Sequence, residues 1–243
     1  MVYETNGIAF AAARAWWMFR CFGHENVKVL DGGLPAWKEV AEAEGKESFA
    51  LDESPVTSDF VNSPGNAAVA AQALGASELA SRQWDYRAVL NESLVTNKDE
   101  ILSDLAKREQ DIVLLDARGG GRYRGAEKEA KPGLRSGHIP GSYSMPYATL
   151  LTEGQRMVSV DDFAAAEAYQ RKRKPRPLAS SGEVLEAVGG GSQGKRIAAT
   201  CGSGVTACVL ALAFARAGCW DVAVYDGSWS DWGADRKCPV ETG

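Results

Sequence analysis

The chain has 243 residues, 45% of them apolar and 24% charged, with a formal net charge of −5. These values describe a globular protein with ample material for a core, and they argue against general binding to nucleic acid or anionic membranes. No apolar run approaches a membrane span, and the five cysteines show no CxxC pair, which speaks against a disulfide framework and a zinc site and for a reducing compartment.

Met1 runs directly into a strand-like Val-Tyr pair, so no signal or transit peptide is expected. Residues 8–22 predict an apolar helix with almost no polar face, buried along its length and ended by Gly23. Residues 27–30 predict a short parallel-type strand, and an amphipathic helix follows Trp37 to about Glu44. Residues 50–82 are rich in Ser, Asn, Ala and Gly, with Pro55 and Pro64, which marks an interdomain linker. From Trp84 an α/β pattern resumes with a helix over Lys98–Lys107, a strand over Ile112–Leu115 and the turn Asp116-Ala-Arg118. A polar loop, the compact turn Gly137-His-Ile-Pro-Gly141 and a strand near Ser144-Met145 come next. A helix over Asp161–Gln170, a basic run Arg171–Arg176 and a glycine-rich segment then lead to an apolar strand at Arg196–Thr200. The basic run looks like a nuclear-import patch, but its proline and flanking serines favour a solvated loop. Alternating short strands and helices predict an α/β fold, a parallel sheet flanked by helices, with ligands at the carboxyl ends of its strands.

Residues 201–206, Cys-Gly-Ser-Gly-Val-Thr, lie between that last strand and an apolar helix. Gly202 and Gly204 are expected to take left-handed dihedrals, so that successive N–H groups face one atom at the positive end of the helix dipole. A thiol held there is partly thiolate near neutral pH and nucleophilic. The plain alternative is a buried cysteine in a tight strand-to-helix turn. A cysteine-based phosphatase would need an arginine six positions on, where Ala207 stands.

The chain also repeats itself. An offset of 195 positions lays Val2–Trp37 over Ile197–Trp232 without gaps, pairing Gly7 with Gly202, Gly23 with Gly218, Asp31 with Asp226 and Trp37 with Trp232. Asn6 stands where Cys201 stands in the second copy, and an amide is no nucleophile. The second copy has more than a hundred residues ahead of its cysteine, the first only five ahead of Asn6. The first domain therefore reads as lacking its leading half, which would leave apolar surface uncovered and the protein poorly soluble.

The loop Cys201-Gly-Ser-Gly-Val-Thr-Ala207, with Tyr225-Asp-Gly-Ser-Trp229 and Gly137-His-Ile-Pro-Gly141, resembles the catalytic domain of the 3-mercaptopyruvate sulfurtransferases of the rhodanese superfamily. Ala15-Trp-Trp-Met-Phe-Arg20, Phe22-Gly-His24 and Leu30-Asp-Gly-Gly-Leu34 resemble the end of that family's inactive first domain. The resemblance implies residues 1–48 as the C-terminal part of an inactive rhodanese-like domain, 49–82 as linker and 83–243 as the catalytic rhodanese-like domain. It implies Cys201 as nucleophile and persulfide carrier, with the backbone of Gly202, Gly204, Val205 and Thr206 around the sulfur. Ser203 is either a proton relay or a turn residue bonding the backbone. The family's two basic anchors, nine positions apart, fall on Arg122 and Lys131; the second is usually arginine. Lysine keeps the charge without the bidentate fork, which lowers affinity by roughly 1–2 kcal/mol. The plain alternative for Arg122, Arg124, Lys128 and Lys131 is a solvated charged loop, whereas Arg118 is expected to order that loop through an ion pair.

The resemblance implies 3-mercaptopyruvate as donor, because the family's thiosulfate users carry cationic side chains inside the loop and this loop has none; dianionic thiosulfate remains the alternative donor. A non-catalytic rhodanese-like binding module is the other alternative. The reaction implied needs no cofactor and no metal, and passes sulfur to a thioredoxin-like or low-molecular-weight thiol, or to cyanide. A cytoplasmic or mitochondrial location is expected. An aspartate and a histidine that the family supplies from its first domain have no counterpart here, so either a strongly reduced rate is expected or this chain is part of a longer natural protein; His24 and His138 fit structural turns.

Overall fold

The computed structural model describes residues 1–6, 10–45, 87–160 and 195–243. The predicted linker 49–82, the helix over 161–170 and the basic run 171–176 lie outside them. Residues 1–39 and 89–243 form one compact unit, and residues 40–88 cluster as a second.

Five short strands carry the first unit: β1 (Val95–Thr96), β2 (Ile112–Asp116), β3 (Tyr143–Ser144), β4 (Arg196–Thr200) and β5 (Ala223–Tyr225). They line up in the order β1-β5-β4-β2-β3, every neighbouring pair parallel. Side chains alternate across the central strands as the pleat requires. Leu115, Ile197, Ala199 and Val224 enter one buried cluster, while Leu114, Ala198, Ala223 and Tyr225 enter another. Apolar side chains on both faces are what an all-parallel sheet needs, since helices cover it on each side. The predicted parallel sheet flanked by helices is the observed architecture.

The helices are α1 (Phe10–Cys21), α2 (Gly33–Glu44), α3 (Lys98–Leu105), α4 (Gly120–Tyr123), α5 (Ala207–Arg216) and α6 (Ser228–Trp232). Asn97 caps α3, its side-chain oxygen accepting from the Glu100 amide at 2.9 Å, with Asp99 and Glu100 in the first turn against the helix dipole. α5 is buried at eight of its positions, among them Val209, Leu210 and Phe214. It packs against α1, whose Ala13, Trp16, Trp17 and Cys21 join the same cluster.

Two expectations change. α1 is not buried all round: a stripe at helical spacing faces α5, whereas Met18 and Phe19 are 42% and 46% exposed. One partner helix covers only one face of a cylinder. The strand expected over 27–30 reduces to a single parallel bridge between Val2 and Val29.

The internal repeat is visible as geometry. Gly23 (φ +86°) and Gly218 (φ +96°) end α1 and α5 in the left-handed conformation that closes a helix. Gly33 (φ +59°) and Ser228 (φ +49°), also 195 positions apart, share a left-handed φ that is strained only in the second copy, which carries a side chain there.

Candidate active site

Loops leaving the carboxyl ends of β2, β4 and β5 meet around Cys201, where a parallel α/β sheet places its ligands. The β4 loop is held from outside by its carbonyls. Cys201 O accepts from the Trp229 amide at 2.9 Å, and Gly202 O from the Ser230 amide at 2.9 Å and hydroxyl at 2.6 Å. Gly204 O accepts from Cys208 Sγ at 3.2 Å, Val205 O from the Cys208 amide at 3.2 Å and Thr206 O from the Val209 amide at 3.1 Å. All peptides are trans, so each N–H points opposite the C=O of its own peptide unit. The amides of Gly202, Ser203, Val205 and Thr206 therefore turn away from those partners. None of the amides of residues 202–206 donates to a protein acceptor among the described residues. A run of unspent N–H groups at the start of α5 is a setting for an anion.

The left-handed step falls on Gly204 alone (φ +79°) and not, as expected, on Gly202 as well. Gly204 is needed for a second reason. A Cβ there would lie 2.7 Å from both the main-chain oxygen and Oδ1 of Asp226, and 3.1 Å from Arg14 Nη1. Arg14 reaches this point from α1, pairs with Asp226 and lies 4.6 Å over the Trp17 ring.

Cys201 is 2% exposed, at the edge of the cluster shared by α1 and α5. Its amide donates to Ser228 Oγ at 3.1 Å, and that hydroxyl donates to Tyr225 O at 2.7 Å. Ser228 thus ties the first residue of the β4 loop to the end of β5, which accounts for a serine in a conformation that favours glycine. Ser203 is exposed, and its hydroxyl bonds no backbone group among the described residues, so it does not act as a turn brace. Val205 and Thr206 are half-buried. Cys208, the second residue of α5, is fully buried and its thiol is pushed up to about 12 by that burial, which keeps it protonated.

The cationic residues sort into two groups. Arg118 is fully buried, with Asp116 Oδ2 at 2.6 Å, Glu129 Oε1 at 2.7 Å, Gly137 O at 2.8 Å and the Trp229 ring 4.3 Å from its guanidinium carbon. Its Nε, Nη1 and Nη2 are each engaged by these groups, so it orders the loop after β2, as expected from the sequence. Arg122, on α4, is partly exposed and sits over the β4 loop: its Nη2 would be the nearest neighbour of a Cβ at Gly202, at 3.9 Å. Lys131 Nζ donates to Ser230 Oγ at 3.0 Å, and Ser230 holds Gly202 O. The structure thus brings Arg122 and Lys131 to Gly202, while Arg124 and Lys128 stay on exposed surface. His138 donates from Nδ1 to the Tyr123 carbonyl (2.8 Å) and stacks on the Tyr123 ring at 3.8 Å, a structural role.

Two site residues were missed in the sequence. Ser230 carries no local signal. Ser228 had one, because a serine faces Gly33 in the repeat at a position of positive φ.

No helix among the described residues is long and apolar enough to cross a membrane, and no cluster of His, Cys, Asp or Glu suited to a metal occurs among them. Residues 98–235 match the rhodanese-like domain family. The chain is 34% identical over 242 residues to the mitochondrial thiosulfate/3-mercaptopyruvate sulfurtransferase 1 of Arabidopsis thaliana, covering 100% of this chain and 56% of that protein. It is 34% identical to the 3-mercaptopyruvate sulfurtransferase of Escherichia coli (99% and 67% covered) and 36% identical to the thiosulfate sulfurtransferase of Rattus norvegicus (100% and 64%). The chain thus spans roughly three fifths of the length of the curated relatives it matches. Among solved structures, the sulfur transferase subunit of yeast mitochondrial complex I superposes with a TM-score of 0.67 at 27% identity, covering 100% of this chain and 71% of that one. A cysteine at the carboxyl end of a parallel strand, in a turn of unpaired amides, and a family match over more than half of the chain, from α3 through α6, make this chain a member of the rhodanese-like family.

Proposed function

We propose that the chain is a sulfurtransferase that takes the sulfur of 3-mercaptopyruvate onto Cys201 as a persulfide, releases pyruvate and passes the outer sulfur to a thiol or to cyanide. The observation that carries this reading is the uncharged loop of free amides behind Cys201 with two cations at it, Arg122 near Gly202 and Lys131 one hydroxyl away from the Gly202 carbonyl through Ser230. The Cys201 thiolate attacks the substrate sulfur. A new S–S bond forms, the C–S bond breaks, and its electron pair leaves as the enolate of pyruvate, which takes a proton at carbon. The amides of residues 202–206 hold the anionic sulfur before and after transfer, and preorganised dipoles need little rearrangement in the step. Ser203, exposed beside the sulfur's loop and without a backbone partner, is the hydroxyl that relays a proton there. Arg122 and Lys131 take the carboxylate and keto oxygen.

An acceptor thiolate then attacks the outer sulfur and regenerates Cys201, a double displacement. Thioredoxin-like dithiols and small thiols are the acceptors this chemistry suits. Residues 1–48 are the C-terminal part of an inactive rhodanese-like domain, with Asn6 in the place of the cysteine, 49–82 are linker and 83–243 carry the chemistry. A relative named mitochondrial supports a mitochondrial setting, with a cytoplasmic one as the alternative.

Thiosulfate is the competing donor, because a relative named for it is 36% identical. Gly202 to Val205 carry no cation for a dianion, which favours 3-mercaptopyruvate. Intact mass spectrometry after addition of 3-mercaptopyruvate tests the reading. A gain of one sulfur, absent in Cys201→Ser, is expected; no adduct would leave a binding module. A larger kcat/KM with thiosulfate than with 3-mercaptopyruvate would reverse the choice of donor.

A further inference from the structure

Ser230 belongs to α6, and its side chain is half-buried between two partners that lie far apart in sequence. A serine hydroxyl has one proton to give and lone pairs to receive. An ammonium can only donate, so the contact with Lys131 Nζ uses a lone pair and the single O–H goes to Gly202 O. The Ser230 amide reaches the same carbonyl. With Gly202 O held twice, the peptide plane between residues 202 and 203 is set, and with it the direction of the Ser203 amide.

The identity of the partner matters for charge. Lys98 is held by the carboxylates of Asp231 and Asp235, and Lys107 by those of Asp104 and Asp111, so both ammoniums are neutralised where they sit. Lys131 is held by a neutral hydroxyl and has no carboxylate at ion-pair distance among the described residues. Its flexible four-carbon stem is pinned while its charge and two of its three N–H groups stay available. Arg122 is in a similar state. Its closest carboxylate, Glu129, lies 3.8 Å away and is engaged at 2.7 Å by Arg118.

We infer that Ser230 is a positioning residue for a carboxylate-bearing substrate: it holds Lys131 beside the Gly202 carbonyl without cancelling its charge, and the same hydroxyl fixes the 202–203 peptide that carries the Ser203 amide. A lysine at position 131 lacks the self-orienting fork of an arginine, and the Ser230 hydroxyl supplies the orientation instead. The inference rests on the sulfurtransferase reading for the name of the substrate, but its geometry concerns any carboxylate bound within reach of Lys131 and Arg122.

Four proteins test it: wild type, Ser230→Ala, Lys131→Ala and the double variant, with Ser230→Thr as the conservative rescue. Each is titrated with pyruvate in the persulfide-free state by intrinsic tryptophan fluorescence, then assayed for pyruvate release from 3-mercaptopyruvate. Ser230→Ala is expected to raise the pyruvate Kd and the KM about tenfold, with kcat changing less than KM, and Ser230→Thr to restore both. Ser230→Ala added to Lys131→Ala is expected to raise Kd no further, because the two act through one contact. A Ser230→Ala variant with unmoved Kd and KM, or effects that multiply in the double variant, would overturn the inference. Failure of the wild type to gain sulfur from 3-mercaptopyruvate would instead sink the proposed reaction, and the pyruvate titrations would still decide whether Ser230 and Lys131 act together.

Discussion

Gly202 and Gly204 stand two positions apart and differ in what a methyl group would meet. At Gly202 the nearest heavy atom is Arg122 Nη2 at 3.9 Å and φ is unremarkable. At Gly204 the backbone is left-handed and a Cβ would press into Asp226. Gly204→Ala is therefore expected to cost about 2–3 kcal/mol or more in urea unfolding, against less than about 0.5 kcal/mol for Gly202→Ala. Equal losses would mean that the turn is not built as described. Thr200, directly before Cys201, has the one buried side-chain polar atom without a partner among the described residues. A hydroxyl desolvated for no bond destabilises, so Thr200→Val should raise stability by about 1 kcal/mol, read as a higher Tm.

At the scale of elements, α1 decides whether residues 1–39 belong to the catalytic unit. Trp17 is 5% exposed and its indole N–H donates to Leu94 O at 3.0 Å, joining α1 to the segment that enters β1. Arg14, one turn earlier, reaches the β4 loop through Asp226. Trp17→Ala is expected to cost about 3–5 kcal/mol and to lower the single melting transition, whereas the half-exposed Met18→Ala should stay within about 0.5 kcal/mol. Two separate transitions, with only one sensitive to Trp17, would show α1 to be an independent appendage. The α1 stripe was legible as an apolar helix but not as half-covered, since periodicity says which residues share a face and not how many partners arrive to cover it.

For the whole molecule, charge and thiol burial set the range of pH over which the fold holds. Asp231 is held below the usual carboxylate range by the Tyr225 hydroxyl and Lys98, Asp235 by the Lys237 amide and Lys98, and Asp111 by Lys107. Lowered carboxylates stabilise above their unfolded pKa, and that contribution disappears as pH falls below about 4. Burial acts at the other end, pushing Cys21 up to about 11 and Cys208 up to about 12. In the unfolded chain these thiols ionise near 9, so stability drops as pH rises from about 9 towards 12. Tm measured against pH should show a plateau between these limbs, and Cys208→Ala should flatten the alkaline one. An alkaline limb unchanged by that substitution would assign it to other groups.

The β4 strand, the cysteine turn and the helix behind it could be read from residues 196–216 because strand alternation, glycine dihedrals and helix periodicity act over neighbouring residues. The two-fold repeat and a sheet apolar on both faces followed from the same local patterns. What surrounds Cys201 could not. The bond from its amide to Ser228 spans 27 positions and that from Lys131 to Ser230 spans 99. Each depends on how three loops meet at one edge of the sheet, which no local preference encodes. Arg118 and Arg122 lie four positions apart in one basic stretch, and only packing decides that the first is spent on Asp116 and Glu129 while the second faces the loop. Sequence determined which chemistry the chain can carry; tertiary structure decided which charges remain free to serve it, because pairing depends on distance in space.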